Sequence, residues 1–206
     1  MKIAIIGKGR VGTALAPAFQ QAGHTIVYGV RDTTDRRHEG GDSVPLRSTA
    51  EAIAWGEVII AAIMWHGVDD LLESAGDMSG KILIDCINPY DFAGGLKPLI
   101  DGNRSTAELI QARTNAAVVK TLNQVGSDVM ADLRAYPVRP LQFVAADDSD
   151  AKGTVMRLLV DIGFDARDAG GLEFAADLEG MARLWIAQAF MQGMDARTAW
   201  VLTDRP

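Results

Sequence analysis

Lys2-Ile3-Ala4-Ile5-Ile6-Gly7-Lys8-Gly9-Arg10-Val11-Gly12 joins a short apolar run to a Gly-x-Gly-x-x-Gly spacing. The run has no polar alternation and is rich in β-branched residues, which predicts a strand buried on both faces of a parallel sheet. Residues 13–22 are rich in alanine, carry apolar side chains at helical spacing and are closed by Gly23, which predicts a helix. Thr25–Val30 predicts a second strand, so the chain opens with a βαβ unit.

Outward from this unit the alternation continues. Strands are expected at 44–46, 58–63, 81–85, 117–120, 141–145 and 164–168. Helices are expected at 50–55, capped by Ser48 or Thr49 with Glu51 in the first turn, at 68–75, at 105–113, and at 150–162 with Gly163 as the stop. Residues 31–41 and 87–98 read as loops. A long apolar-faced helix is expected over 172–191, interrupted at Gly180, with a short tail helix near 195–201. The fold class is therefore α/β: a Rossmann-type, doubly wound, mostly parallel sheet with helices on both faces and a short helical C-terminal extension. The expected division is 1–171 as an NAD(P)-binding domain and 172–206 as an extension that closes the site or forms a dimer contact.

Composition narrows the function. With 206 residues, 48% of them hydrophobic, the chain is long enough for one full core. A net charge of -7 argues against general nucleic-acid or anionic-membrane binding. Cys86 is the single cysteine, so no internal disulfide and no thiolate metal cluster can form within one chain, which suits a reducing compartment. Three histidines add no metal-ligand spacing, and no bound metal is expected. The start lacks the apolar run of a signal peptide, and no segment approaches the ~20 apolar residues of a membrane span, so a cytoplasmic protein is expected.

The glycine spacing has a specific physical reading because a strand precedes it and a helix follows. Gly7 permits the tight turn, Gly9 lets the backbone approach a pyrophosphate, and Gly12 lets the helix pack closely on the sheet. The amides of Arg10, Val11 and Gly12 fall in the first helical turn, where N–H groups lack helical partners and point at an anion. A dinucleotide is the expected ligand. The end of the second strand, Tyr28-Gly29-Val30-Arg31-Asp32, bears on which one. An NAD site usually places an acid there for the ribose 2′-hydroxyl, whereas here the position holds Val30 and then Arg31, whose guanidinium can clamp a 2′-phosphate. Thr33, Thr34, Arg36 and Arg37 are nearby candidate donors. The expectation is NADP(H), with Asp32 as the residue that would serve an NAD ribose instead.

In such a sheet the ligand lies beyond the carboxyl ends of the strands, where the strand order reverses. Ile63-Met64-Trp65-His66, Cys86-Ile87-Asn88-Pro89-Tyr90 and Thr121-Leu122-Asn123-Gln124 all end there. Ile63, Trp65 and His66 can flank the nicotinamide or ribose, and His66 reads equally well as a surface residue. Asn88 and Asn123 can bond a carboxamide or brace loop backbone. Cys86 reads as a small buried hydrophobe. No compact catalytic set is visible. Hydride transfer between two stacked rings requires none.

With these residues in view, the chain resembles the NADPH-dependent reductases of the deazaflavin coenzyme. The likeness lies in Ile5-Ile6-Gly7 to Gly12, in Gly23 to Arg31, in Ile84-Asp85 with Asn88-Pro89, and in Val119-Lys120-Thr121-Leu122-Asn123. It continues in Phe143-Val144-Ala145 with Asp147-Asp148, in Gly163-Phe164, and in Asp168 to Glu173. The resemblance implies that Gly9 to Gly12 hold the pyrophosphate and that Val30-Arg31 stand where a serine–arginine pair reads the 2′-phosphate. It implies that Trp65 lies near the cofactor, that Asn123 lies near the nicotinamide, and that the helices after Leu172 close the site and often support a homodimer. The second substrate it implies is a deazaflavin or flavin-like ring. Val30 departs from the pattern because it offers no hydroxyl. Two alternatives stand beside this reading: an NADP-dependent reductase of a small metabolite, such as an imine or hydroxy acid, and a non-enzymatic NADP(H) sensor domain.

Overall fold

The structure is a computed structural model that describes residues 1–38 and 42–203. Residues 39–41 of the expected 31–41 loop lie outside the described residues. Among the described residues, eight strands form one sheet: β1 (Lys2–Ile6), β2 (Thr25–Val30), β3 (Leu46–Ser48), β4 (Val58–Ala61), β5 (Ile82–Asp85), β8 (Ala117–Lys120), β9 (Leu141–Ala145) and β10 (Asp165–Gly170). A separate two-stranded hairpin pairs β6 (Tyr90–Asp91) with β7 (Lys97–Pro98). The large sheet runs β10-β9-β8-β5-β4-β1-β2-β3. Every pairing in it is parallel except β8 with β9, which meet antiparallel at Lys120 and Ala145. The order reverses at β1, which lies between β2 and β4 and opens the crevice above its carboxyl end.

Strand alternation sends successive side chains to opposite faces. Ile3, Ile5, Tyr28, Ile60 and Val119 pack with α1 (Arg10–Gln21) and α6 (Ser149–Ile162) through Leu15, Phe19, Val155 and Leu159. Ala4, Ile6, Val27, Ile59 and Leu83 pack on the other face with α2 (Thr49–Trp55), α3 (Val68–Ala75) and α4 (Thr106–Gln111). Two capping boxes start helices on this face. Ser48 accepts from the Glu51 amide while Glu51 returns to Ser48, and Ser105 and Glu108 do the same for α4. Gly163, at φ 116°, stops α6 in the left-handed conformation, as the sequence predicts.

Several expectations need correction. The third strand begins two residues later than its apolar signal, because Tyr28 N–H takes the Pro45 carbonyl and pairing proper starts at Leu46. Residues 87–98 are not a plain loop but carry the β6–β7 hairpin. A short helix, α5 (Ser127–Ala131), follows β8 where none is expected. The last helix, α7 (Ala175–Met191), runs unbroken through exposed Gly180, whose missing side chain faces open space. Its inner face contributes Trp185 and Ile186 to the core shared with α1 and α6. No helix forms over 195–201. That segment lies back on the sheet instead: Trp200 C=O accepts from Leu141 N–H, Trp200 Nε1 donates to Gln124 C=O, and Trp185 Nε1 donates to Thr198 C=O. No described helix is long and apolar enough to cross a membrane, and no described cluster of His, Cys, Asp and Glu is arranged to hold a metal ion.

Candidate cofactor site

The turn between β1 and α1 is built by two glycines that tolerate nothing larger. Gly7 sits at φ 108°, and a Cβ on it would lie 2.4 Å from the Ala62 carbonyl oxygen. A Cβ on Gly12 would lie 2.1 Å from the Gly7 carbonyl oxygen. Gly9 differs: it is exposed, and a Cβ there would meet nothing within 4 Å. The open side of the turn is thus at Gly9, which is also the N-cap of α1. No side chain caps this helix and its first turn holds no acid. The first i to i-4 bond is Thr13 N–H to Gly9 C=O, at 3.0 Å. The amides of Arg10, Val11 and Gly12 precede it, as an anion cradle requires. The Arg10 side chain turns away to Asp128 of α5, at 3.0 Å.

At the end of β2, Val30 is buried in the core and Arg31 is exposed. Arg31 faces Asp70 in the first turn of α3, with 3.5 Å between Nη1 and Oδ2. Asp32 turns back on its own loop, where Oδ1 accepts from the Thr34 amide at 2.9 Å and its hydroxyl at 2.6 Å. Those bonds hold its carboxyl below the usual range. Arg36 and Arg37 lie on the exposed 3-10 turn Arg36–His38, and Arg37 is paired with Asp35. Lys8 closes the inner wall by donating to His38 C=O at 3.0 Å across the Tyr28 ring.

Beyond β4, Trp65 and His66 lie on the 3-10 turn Trp65–Gly67. Ile63 and Trp65 are half-buried against the core under α2 and α3, and His66 is exposed. Asn88 and Asn123 meet across the crevice. Asn88 Nδ2 donates to Asn123 C=O at 3.0 Å, and Asn123 Nδ2 donates to Asn88 Oδ1 at 3.2 Å and to Leu178 C=O at 3.0 Å. Asn123 Oδ1 accepts from Gln124 at 3.1 Å. Both N–H donors of the Asn123 amide are therefore committed, whereas half-buried Asn88 uses one of its two. Leu122, between them in sequence, sits at φ 58°, a strained conformation for leucine. Bonds from Leu122 N–H to Gln142 Oε1, from Phe143 N–H to Gln124 Oε1, and from Thr121 Oγ1 to Phe143 C=O hold it there. Burial, with Asp85 adjacent, pushes the Cys86 thiol up, so it stays protonated.

Directly behind this amide pair is a cluster that sequence reasoning missed. Lys120 Nζ is fully buried and shares its three N–H donors among four acceptors: Asp85 Oδ2 at 3.0 Å, Glu179 Oε1 at 2.7 Å, Thr106 Oγ1 at 2.7 Å and Ile87 C=O at 2.6 Å. Thr106 N–H donates to Glu179 Oε1 at 2.9 Å, and Ile87 N–H donates to Asp85 Oδ1 at 2.8 Å. The Thr106 hydroxyl lies within hydrogen-bond reach of both carboxylates and shares its one hydrogen between them. Burial alone would push the Lys120 ammonium down, but the two carboxylates outweigh it and hold its pKa above the ordinary lysine value. The signal was present in part: Asp85 and Lys120 each end an otherwise apolar strand, and Glu179 interrupts an apolar helix face.

Residues 2–89 match the family described as NADP oxidoreductase, coenzyme F420-dependent. The crystal structure of a candidate F420-dependent NADP-reductase from Arthrobacter sp. fb24 is 29% identical, with a TM-score of 0.87, covering 99% of this chain and 100% of that one. Metalloreductase STEAP3 of Rattus norvegicus is 26% identical over 181 residues, which is 87% of this chain but 36% of that protein, so the chain spans about a third of that curated relative. The imine reductase from Myxococcus stipitatus in complex with NADP+ shares the fold at a TM-score of 0.68 and 16% identity, covering 94% of this chain and 63% of that one.

Proposed function

We propose that this chain, whose residues 2–89 match the family described as NADP oxidoreductase, coenzyme F420-dependent, is an NADP-dependent oxidoreductase that passes hydride between NADP(H) and a deazaflavin or flavin-like ring. One observation carries the cofactor half: the uncapped α1 N-terminus, open at Gly9, stands on the same sheet edge as the exposed Arg31 guanidinium. The amides of Arg10, Val11 and Gly12 would hold the pyrophosphate, and Arg31 would read the 2′-phosphate. When bound, the reduced dinucleotide supplies two electrons and one proton as hydride. Asn88 would orient the carboxamide, with Asn123 bracing it from behind. Ile63 and Trp65 would form the wall that excludes water, and His66 would stand at the mouth.

The ring acceptor is supported by agreement over the full length of the Arthrobacter relative and by the chemistry of the crevice. The crevice offers a neutral, half-buried thiol and hydrogen-bonded amides rather than an activated nucleophile, and ring-to-ring transfer needs only alignment in a dry site. The single cysteine suits a cytoplasmic setting. The outer face of α7, with Leu184 at 52%, Phe190 at 67% and Met191 at 53% exposure, supports a homodimer contact that sedimentation can check.

The test is NADPH consumption with three acceptors: a deazaflavin, FMN and a cyclic imine. The reading expects turnover with the deazaflavin and less with FMN. Turnover with the imine alone would point to a metabolite reductase. Tight NADPH binding with no turnover would point to a sensor.

A further inference from the structure

The cluster behind the amide pair holds one ammonium, Lys120, and two carboxylates, Asp85 and Glu179, all shut from solvent. With all three ionised it carries one surplus negative charge. The donors around it fit that state. Asp85 accepts from Ile87 N–H and Lys120, Glu179 accepts from Thr106 N–H and Lys120, and the single Thr106 hydroxyl hydrogen is shared between the two carboxylates. Arg183, one turn further along α7, is exposed and donates to the Leu96 carbonyl rather than into the cluster.

Its placement is what gives the charge a consequence. Asp85 precedes Asn88 by three residues, Lys120 precedes Asn123 by three, and Glu179 follows Leu178, whose carbonyl takes the Asn123 amide. The charge therefore lies immediately behind the pair that stands at the nicotinamide end of the crevice. A nicotinamide ring is positive when oxidised and neutral when reduced. A fixed negative charge in a low-dielectric site acts on the first form and not on the second.

We propose that the buried Lys120–Asp85–Glu179 cluster is an electrostatic positioning device that favours NADP+ over NADPH at this site. The inference rests on the cofactor reading above. The cluster touches no reactant: it acts through its charge and by tying β5, β8, α4 and α7 together behind Asn88 and Asn123.

The experiment is a calorimetric titration of full-length wild type, Glu179→Gln and Asp85→Asn with NADP+ and with NADPH. Each substitution keeps the side-chain shape and removes one negative charge. The ratio of the NADP+ to the NADPH dissociation constant is expected to rise about threefold to tenfold in each variant. A merely structural role would weaken both forms together and leave the ratio unchanged, and that result would overturn the proposal. If wild type binds neither form, the cofactor reading fails and the inference falls with it, which is a distinguishable outcome. If neither variant folds, carbon NMR of the wild-type carboxyls decides: two ionised groups at neutral pH uphold the proposal, and a proton on either one overturns it.

Discussion

Arg31, just past the end of β2, and Asp70, in the first turn of α3, face each other at 3.5 Å with 78% and 58% of their side chains exposed. An exposed pair of this kind is worth about 0.2–1 kcal/mol. Asp70 therefore competes weakly for the guanidinium that would read a 2′-phosphate, and it repels that phosphate as well. Asp70→Asn is expected to tighten NADPH binding by about twofold to fivefold while leaving NADH affinity nearly unchanged. Parallel titrations at low salt check this.

Gly9 and Gly12 separate binding from folding. Gly12→Ala would press a Cβ onto the Gly7 carbonyl oxygen, 2.1 Å away, so it should cost at least about 2 kcal/mol of stability. Gly9→Ala adds its methyl in open space, so the thermal midpoint should hold while NADPH affinity falls at least tenfold. Differential scanning calorimetry and NADPH titration on both variants read the contrast.

Asn123→Ala should destabilise by about 1–3 kcal/mol, because it removes the side-chain tie to the Leu178 carbonyl of α7 and takes partners from Asn88 and Gln124. At roughly 2–4 °C per kcal/mol for a chain of this size, the loss is visible in a melt.

Alkaline pH should be the weak side of this fold. Burial, reinforced by Glu179, pushes the Tyr90 phenol up to about 12. The unfolded chain releases that proton near the ordinary tyrosine value of about 10, so stability is lost as pH rises from there toward 12. Lys120 acts in the same direction. Its folded value is raised, so its contribution is complete below the ordinary lysine value and is lost above it. The thermal midpoint should be level up to about pH 9.5 and fall above it, and Tyr90→Phe should fall less steeply.

Most strands of the large sheet were legible because they are short, largely apolar runs, whereas β10 (Asp165–Gly170) is mostly polar and the β6–β7 hairpin has two residues a side. β1, β2, β8 and β9 begin and end where the pattern predicts. α5 was not legible, since five residues between Gly126 and Asp132 show no helical period. What fixes that turn is distant: a Cβ on Gly126 would lie 2.4 Å from the Trp185 ring. The 195–201 segment failed as a helix for a related reason, its indole and backbone bonds reaching back to Gln124 and Leu141. The glycine turn could be read from the chain because the geometry it needs is local. The Lys120 cluster could not, because Asp85, Thr106, Lys120 and Glu179 come together only through strand order and the docking of α7. The mutual commitment of Asn88 and Asn123 was hidden in the same way.

Titration of wild type and Arg31→Ala with NADPH and NADH tests directly whether Arg31 reads a 2′-phosphate. Wild type is expected to bind NADPH at least tenfold more tightly than NADH, and Arg31→Ala to lose most of that preference without losing NADH affinity. Equal binding of the two by wild type, or an unchanged preference in the variant, would contradict that reading and return the ribose contact to Asp32.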